Sequence, residues 1–243
     1  MRFDILTIFP EMINSYVSES IIGRATTSGK FEVVAHNIRD YTENKHRRTD
    51  DMPYGGGMGM VMTAQPIDSC FKAVCEQTGT RPHFIYMSPQ GKTLTQKKAV
   101  ELSKMDNIAI LCGHYEGVDQ RIIDSLIDEE ISIGDYVLTG GELPALVLLD
   151  SVARMIDGVL SSPECYEDES HFTGLLEYPH YTRPAEWQGM SVPAVLLSGD
   201  HKKINEWRRL KAMENTAKKR PEMLKPDSLT EKERKFLDEL TEC

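Results

Sequence analysis

Leu111-Cys112-Gly113-His114-Tyr115-Glu116-Gly117-Val118-Asp119 and Ile131-Ser132-Ile133-Gly134-Asp135-Tyr136-Val137-Leu138-Thr139-Gly140-Gly141-Glu142-Leu143-Pro144 are the two stretches that decide how this chain reads. Each begins in, or follows, a short apolar run that reads as a strand, then breaks into glycines and mixed polar groups. In a parallel α/β sheet, ligands bind where strands end. Two such endings about twenty residues apart can line one pocket. Glycines there let backbone amides approach a ligand closely and permit φ > 0.

Working outward, apolar strand-like runs at 3–9, 31–37, 84–87, 108–112 and 131–134 alternate with helical patterns near 66–76, 95–104 and 119–127. Strands alternating with helices predict a mostly parallel α/β sheet covered on both faces. The clearest helix is 142–157, with Pro144 near its start, Gly158 just past its end, and an apolar stripe of Ala145, Leu148, Leu149, Val152 and Ile156. Residues 41–63 are polar, then glycine-rich, and read as a long surface loop. The polar, acidic stretch 161–173 reads as a linker. Beyond it, 202–217 and 230–240 have helical patterns, with Pro221 and Pro226 between them.

A chain of 243 residues that is 40% hydrophobic can bury one large core or two modest ones. No apolar run approaches a membrane span. The start, Met1-Arg2-Phe3-Asp4-Ile5, enters a strand with no apolar signal region, so a cytoplasmic location and no membrane partner are expected. Five cysteines at spacings unlike a zinc site predict free thiols and no metal centre. The net charge of −10 argues mildly against a nucleic-acid partner. Its distribution argues the other way: between Lys202 and Lys225, nine Lys or Arg stand against three Glu, a local +6.

The common nucleotide signatures are missing. Tyr54-Gly55-Gly56-Gly57-Met58-Gly59 lacks the Lys-Ser or Lys-Thr that a phosphate loop needs. Gly91-Lys92-Thr93 has the ending, but Tyr86 occupies the first glycine position. The strand ends suit a neutral-to-cationic, nucleoside-like ligand. Backbone groups from Ile133 to Leu138 can read an adenine edge, Leu138 and Pro144 offer apolar surface, and Glu116 and Asp135 can meet hydroxyls or a positive centre. Taken locally, the same residues read equally well as tight turns in a sheet protein.

Several motifs in order carry a resemblance along nearly the whole chain: Ile8-Phe9-Pro10-Glu11-Met12, Gly23-Arg24-Ala25, Asp50-Asp51-Met52-Pro53-Tyr54-Gly55-Gly56-Gly57, Met87-Ser88-Pro89-Gln90-Gly91, Gly113 to Asp119, Asp128 to Leu138, Gly140 to Pro144, Pro179-His180-Tyr181-Thr182-Arg183-Pro184 and Leu196-Leu197-Ser198-Gly199. The chain resembles bacterial tRNA (guanine-N1)-methyltransferases of the TrmD type, in the SPOUT superfamily. The resemblance implies a C-terminal deep trefoil knot in the sheet domain, an exception among folds, followed by a small, mainly α-helical domain. It divides the chain into a methyltransferase domain with the cofactor-binding knot (1–160), a flexible linker (161–175) and a helical tRNA-binding domain (176–243). It implies a homodimer with active sites at the subunit interface, and S-adenosyl-L-methionine as cosubstrate. The reaction implied is methylation of N1 of the guanine immediately 3′ of the anticodon. Magnesium dependence is a further implication, with no ligand motif in the sequence. The cofactor site so implied comprises Tyr86, Pro89, Gly113, Glu116, Ile133, Gly134, Asp135, Tyr136, Val137, Leu138, Gly140, Gly141 and Pro144.

The chemistry asks for a base to take the N1 proton, a cation to meet the charge that builds toward O6, and a pocket that aligns methyl and nitrogen. The family places a catalytic arginine where this chain has Arg154; a surface pair with Asp150 is the bland alternative. The family commonly has Asp-Ser-Phe in the linker, with its Asp as base. Counted back from Gly174, the matching position here is Glu169, followed by Ser170 and His171, with Asp168 one residue earlier. Glu169 is the expected base and Asp168 the fallback; His171 and His180 rank lower. Lys202, Lys203, Arg208, Arg209, Lys218, Lys219 and Arg220 form the expected RNA surface, with Trp207 expected in the core. A sister SPOUT enzyme with another RNA target, and a non-catalytic RNA-binding module, are the rival readings.

Overall fold

The computed structural model describes residues 1–162, 166, 169–224 and 229–241. The chain divides into two units, Met1–Ser162 and Pro163–Cys243. The first unit runs β1 (Arg2–Thr7), α1 (Pro10–Val17), α2 (Ser20–Thr27), β2 (Glu32–Asn37), a short antiparallel pair β3 (Asp50–Asp51) and β4 (Val61–Met62), α3 (Ala64–Thr78), β5 (His83–Thr93), α4 (Gln96–Leu102), β6 (Asn107–Cys112), α5 (Gln120–Leu126), β7 (Glu129–Ser132) and α6 (Glu142–Ala153).

Five strands pair in the order β2-β1-β6-β5-β7, every pairing parallel. Their side chains alternate between two cores, as the period of two requires. Phe3, Ile5, Ile85, Met87, Ile108 and Ile110 point to one face, where α1, α2, α4 and α6 bring Ile13, Ile22, Leu102 and Leu148. Leu6, Phe84, Tyr86, Ala109 and Leu111 point to the other, where α3 and α5 bring Ile67, Phe71, Val74 and Ile122. Burial on both faces is why these strands read as continuous apolar runs.

Three features depart from the sequence reading. The strand expected at 84–87 continues to Thr93 through an irregularity: Met87 and Lys92 both pair with Ile131. The residues between them bulge out of the ladder, which carries Ser88, Pro89 and Gln90 to the sheet's C-terminal edge. Helices α1 and α2, absent from the sequence reading, are built of weak helix formers around Ile13, Ile22 and Ala25, and burial of those three overrides propensity. The 41–63 stretch is not free along its length: Thr49 and Met62 are fully buried, and Thr63 donates to the Thr49 carbonyl at 2.8 Å.

The second unit contains a hairpin of β8 (Glu186–Trp187) and β9 (Met190–Ser191), then α7 (His201–Lys219) and α8 (Glu231–Thr241). Asp200 caps α7 by accepting from the Lys203 amide at 3.2 Å. Leu175, Ala212 and Met213 form its small core, with Tyr178, Leu224, Phe236 and Leu237 packed around them. The Thr216 hydroxyl accepts from the Leu176 amide at 2.9 Å, and Asn215 donates to the Glu177 carbonyl at 2.8 Å, so the 175–178 segment is tied to α7.

Candidate active site

A cavity of ≈ 410 Å³ opens at the C-terminal ends of β5, β6 and β7, within the usual range for a small-molecule site. Three segments wall it. The β5 bulge gives Tyr86, Ser88, Pro89 and Gln90; the loop after β6 gives Gly113 to Val118; the loop after β7 gives Ile133 and Tyr136 to Gly141, with Pro144 behind. Of the residues expected at a cofactor site, Gly134 and Asp135 are the two that do not line this cavity. The Ser132 hydroxyl accepts from the Gly134 amide at 3.1 Å and donates to the Gly134 carbonyl at 2.9 Å. This tight turn leaves Asp135 exposed.

The two glycine-bearing loops are locked together. The Gly141 amide donates to the Gly113 carbonyl at 2.9 Å, and His114 bridges Gly140. A Cβ at Gly141 would lie 2.6 Å from the Cys112 Cα, and one at Gly113 would lie 2.8 Å from the Tyr86 ring. Only glycine allows this approach. Beneath the loops, Glu142 is 2% exposed. Its Oε1 accepts from the Thr7 hydroxyl at 2.5 Å, and its Oε2 meets His114 Nε2 at 2.6 Å. The Thr7 hydroxyl in turn accepts from the Phe9 amide at 2.9 Å. This buried chain joins the end of β1 to both ligand loops and to the first turn of α6. The sequence reading missed it: His114 and Glu142 stood in the quoted stretches, but Thr7 is 135 residues from Glu142.

Among the described residues, the cavity wall includes two carboxylates, Glu116 and Glu130, and no Lys or Arg. Burial, aided by the charge of Glu130, pushes the Tyr86 phenol up to about 12, so it stays protonated. Burial, then the charge of Glu142, pushes the Cys112 thiol well above its ordinary value, which leaves it inert.

Arg154 is not among the cavity residues. It caps the C-terminus of α6, with its amide donating to the Asp150 carbonyl at 3.2 Å. At the helical rise, its Cα stands about 18 Å from that of Glu142. Glu169 belongs to the second unit, half-buried in a turn where the Tyr166 and Phe172 rings lie 5.5 Å apart. Asp168 lies outside the described residues.

In the second unit, much of the basic charge is paired internally. Lys203 meets Asp200 at 3.0 Å, Arg209 meets Glu233 at 2.8 Å, Lys211 and Lys218 both meet Glu214 at 2.6 Å, and Arg220 pairs with Glu222. Arg208 sits over the Tyr178 ring at 5.0 Å. Exposed pairs are worth about 0–1 kcal/mol, so a phosphate can displace them. Trp207, expected in the core, is half-buried, 6.4 Å from the Tyr181 ring.

Comparison with known proteins is consistent along nearly the whole chain. The family model described as tRNA (Guanine-1)-methyltransferase TrmD matches residues 1–226. A tRNA (guanine-N(1)-)-methyltransferase of Ruminiclostridium cellulolyticum is 58% identical over 223 residues, covering 92% of this chain and 96% of the relative. That of Clostridioides difficile is 53% identical over 226 residues, covering 93% and 98%. Among solved structures, the tRNA (m1G37) methyltransferase of Aquifex aeolicus superposes with a TM-score of 0.76 at 44% identity, covering 95% of this chain and 97% of that one.

Proposed function

This chain belongs to the tRNA (guanine-1)-methyltransferase family, and from that premise we propose that it methylates N1 of the guanine immediately 3′ of the tRNA anticodon, with S-adenosylmethionine as donor. The observation that carries the reading is the charge of the cavity: among the described residues its wall has two carboxylates and no Lys or Arg. That wall favours a cationic ligand and disfavours a di- or triphosphate. The loops after β6 and β7 that wall the cavity offer backbone groups to an adenine edge. When bound, the donor supplies a methyl group on an electron-poor sulfonium.

The chain's own residues do the rest. Ile133, Tyr136, Val137, Leu138 and Pro144 supply apolar contact for an adenosine, and Glu116 meets its ribose hydroxyls or the amino-acid end. Gly134 and Asp135 are left out of the contact set. Glu169 takes the N1 proton, with Asp168 as the alternative base, while the Arg154 guanidinium stabilises charge building at O6. Among the described residues, no three His, Cys, Asp or Glu side chains converge as a metal cage. No step is therefore assigned to magnesium.

Two observations support a homodimer with shared sites. Arg154 stands away from the cavity of its own chain, so a second copy is a source for the missing cation. Met12 and Tyr16 on α1, and Leu143 and Val147 on α6, are exposed apolar side chains. The two helices adjoin, packing in the same core through Ile13 and Leu149. A strip of this kind suits an obligate interface. The trefoil knot and the tRNA-binding role of the helical domain are part of the same proposal. Among the described residues, no helix is long and apolar enough to cross a membrane, and a tRNA substrate places the work in the cytoplasm.

The test is methylation of an unmodified tRNA transcript, followed by digestion and mass mapping. Methyl on N1 of the guanine after the anticodon is expected; methyl on a ribose or another base, or no transfer, overturns the reading. Glu169→Gln and Arg154→Ala should each lower the single-turnover rate by roughly 10²-fold or more, with donor affinity unchanged. Loss with Asp168→Asn in place of Glu169→Gln would move the base by one residue.

A further inference from the structure

The segment Tyr54-Gly55-Gly56-Gly57-Met58-Gly59 fits no nucleotide loop, yet all four of its glycines have positive φ, at 86°, 79°, 133° and 87°. They differ in what surrounds them. A Cβ at Gly55 or Gly56 would meet nothing within 4 Å, and one at Gly57 would meet only Pro53, at 3.9 Å. A Cβ at Gly59 would lie 2.5 Å from Glu116 Oε1, 2.6 Å from its Cγ and 2.9 Å from its Cδ. The first three positions ask only for a backbone conformation that glycine adopts freely. The fourth also asks that there be no side chain.

The backbone beyond Gly59 is fastened to the same loop. The Glu116 amide donates to the Met60 carbonyl at 3.0 Å, the Met62 amide to the Gly117 carbonyl at 2.9 Å, and the Asp119 amide to the Met62 carbonyl at 2.9 Å. Met62 is fully buried and its Sδ accepts from the His114 amide at 3.3 Å. Gly59 therefore has little room to retreat from Glu116. Glu116 is an exposed carboxylate on the cavity wall. Its long side chain would sample several rotamers unless a neighbour restricted it.

We propose that Gly59 is a positioning residue for Glu116: its bare Cα is the seat against which the Glu116 side chain lies, aimed at the donor cavity. Any side chain at 59 displaces the carboxylate, and the donor loses a pre-placed partner. The inference rests on the donor reading of the cavity.

The test is calorimetric titration of the full-length protein with S-adenosylmethionine, using Gly56→Ala, Gly59→Ala, Glu116→Ala and the double variant Gly59→Ala/Glu116→Ala. Both glycine variants meet the same positive-φ strain, so a melting-temperature loss shared by the two reports strain alone. Gly56→Ala should leave donor affinity within about twofold of the starting protein, while Gly59→Ala weakens it about tenfold or more. In the Glu116→Ala background, Gly59→Ala should add less than about twofold, because the group it displaces is gone. Equal donor affinities for Gly56→Ala and Gly59→Ala would overturn the proposal, as would a Gly59→Ala penalty that persists without Glu116. A starting protein that binds no S-adenosylmethionine would instead sink the donor reading, and the proposal with it.

Discussion

Replacing Thr7 by Val exchanges one hydroxyl for a methyl of similar shape, at a position that is fully buried. The hydroxyl donates to Glu142 Oε1 at 2.5 Å and accepts from the Phe9 amide at 2.9 Å. Val can do neither. Glu142 keeps His114 on its other oxygen at 2.6 Å, but Oε1 is left without its donor in a residue only 2% exposed. A hydrogen bond to a charged group is worth about 1.5–3 kcal/mol, and a neutral amide left unpaired adds about 1 kcal/mol. The expected loss is thus roughly 2.5–4 kcal/mol. For a unit of this size, each kcal/mol moves the midpoint by about 2–4 °C, so Tm should fall by roughly 10 °C. Trp187 and Trp207, the two tryptophans of the chain, lie in the other unit. Calorimetry or far-ultraviolet dichroism is therefore the assay, and tryptophan emission is not. Thr7→Ser keeps the hydroxyl and loses one methyl, about 1 kcal/mol, and should retain most of the stability. If Thr7→Val melts within about 2 °C of the parent, or no lower than Thr7→Ser, the buried chain from β1 to α6 does not brace the ligand loops.

Acid stability should depend on Asp4. Burial pushes its carboxyl up, but hydrogen bonds from His36, at 2.7 Å, and from Arg2 outweigh this and hold it below its ordinary value. A depressed carboxyl contributes stability that is complete above its unfolded value, near pH 4, and is lost as pH falls through the lower folded value. Urea midpoints should therefore decline from about pH 4 downward, and Asp4→Asn should flatten that decline while destabilising at pH 7 by about 3 kcal/mol; an unchanged acid limb contradicts this. Because Tyr86 holds its proton to about 12, Tyr86→Phe should leave the pH–rate profile of methyl transfer unchanged in shape from about pH 6 to 9. Disappearance of a limb in that range would make the phenol a participant. Leu143→Glu with Val147→Glu should yield monomers by sedimentation, abolish transfer and keep donor binding. Full activity in a monomer would refute the shared site.

The parts of the fold that depend on local pattern were open to sequence reading. β1 and β6 are buried on both faces, so their apolar runs stand out, and the helix from Glu142 announces itself by Pro144, Gly158 and its stripe. It stops at Ala153, earlier than the stripe suggests: Arg154 keeps helical dihedrals, but the Met155 and Ile156 amides bond the carbonyls three residues back, at Val152 and Ala153, in a tightened last turn. The bulge in β5 escaped, since nothing in Ser88-Pro89-Gln90 reveals that Lys92 re-pairs with Ile131. At the site, glycine-rich strand ends marked the loops that wall the cavity, but the Ser132 turn that leaves Gly134 and Asp135 off it is a side-chain event without a periodic signal. The Thr7–Glu142–His114 chain depends on β1 lying beside β6, which only sheet order creates. The local +6 of the helical unit already subtracts Glu214 and Glu222 but not Asp200 and Glu233, which lie outside the counted stretch and meet Lys203 and Arg209 only once α7 and α8 have formed.

The most direct trial of the whole account is a crystal structure of the protein with S-adenosylmethionine bound. The account predicts adenosine between the Tyr86–Pro89 bulge and the 133–138 loop, with Glu116 within hydrogen-bonding reach of the donor. The donor lodged at any other surface, with the β5-β6-β7 cavity vacant, would contradict it.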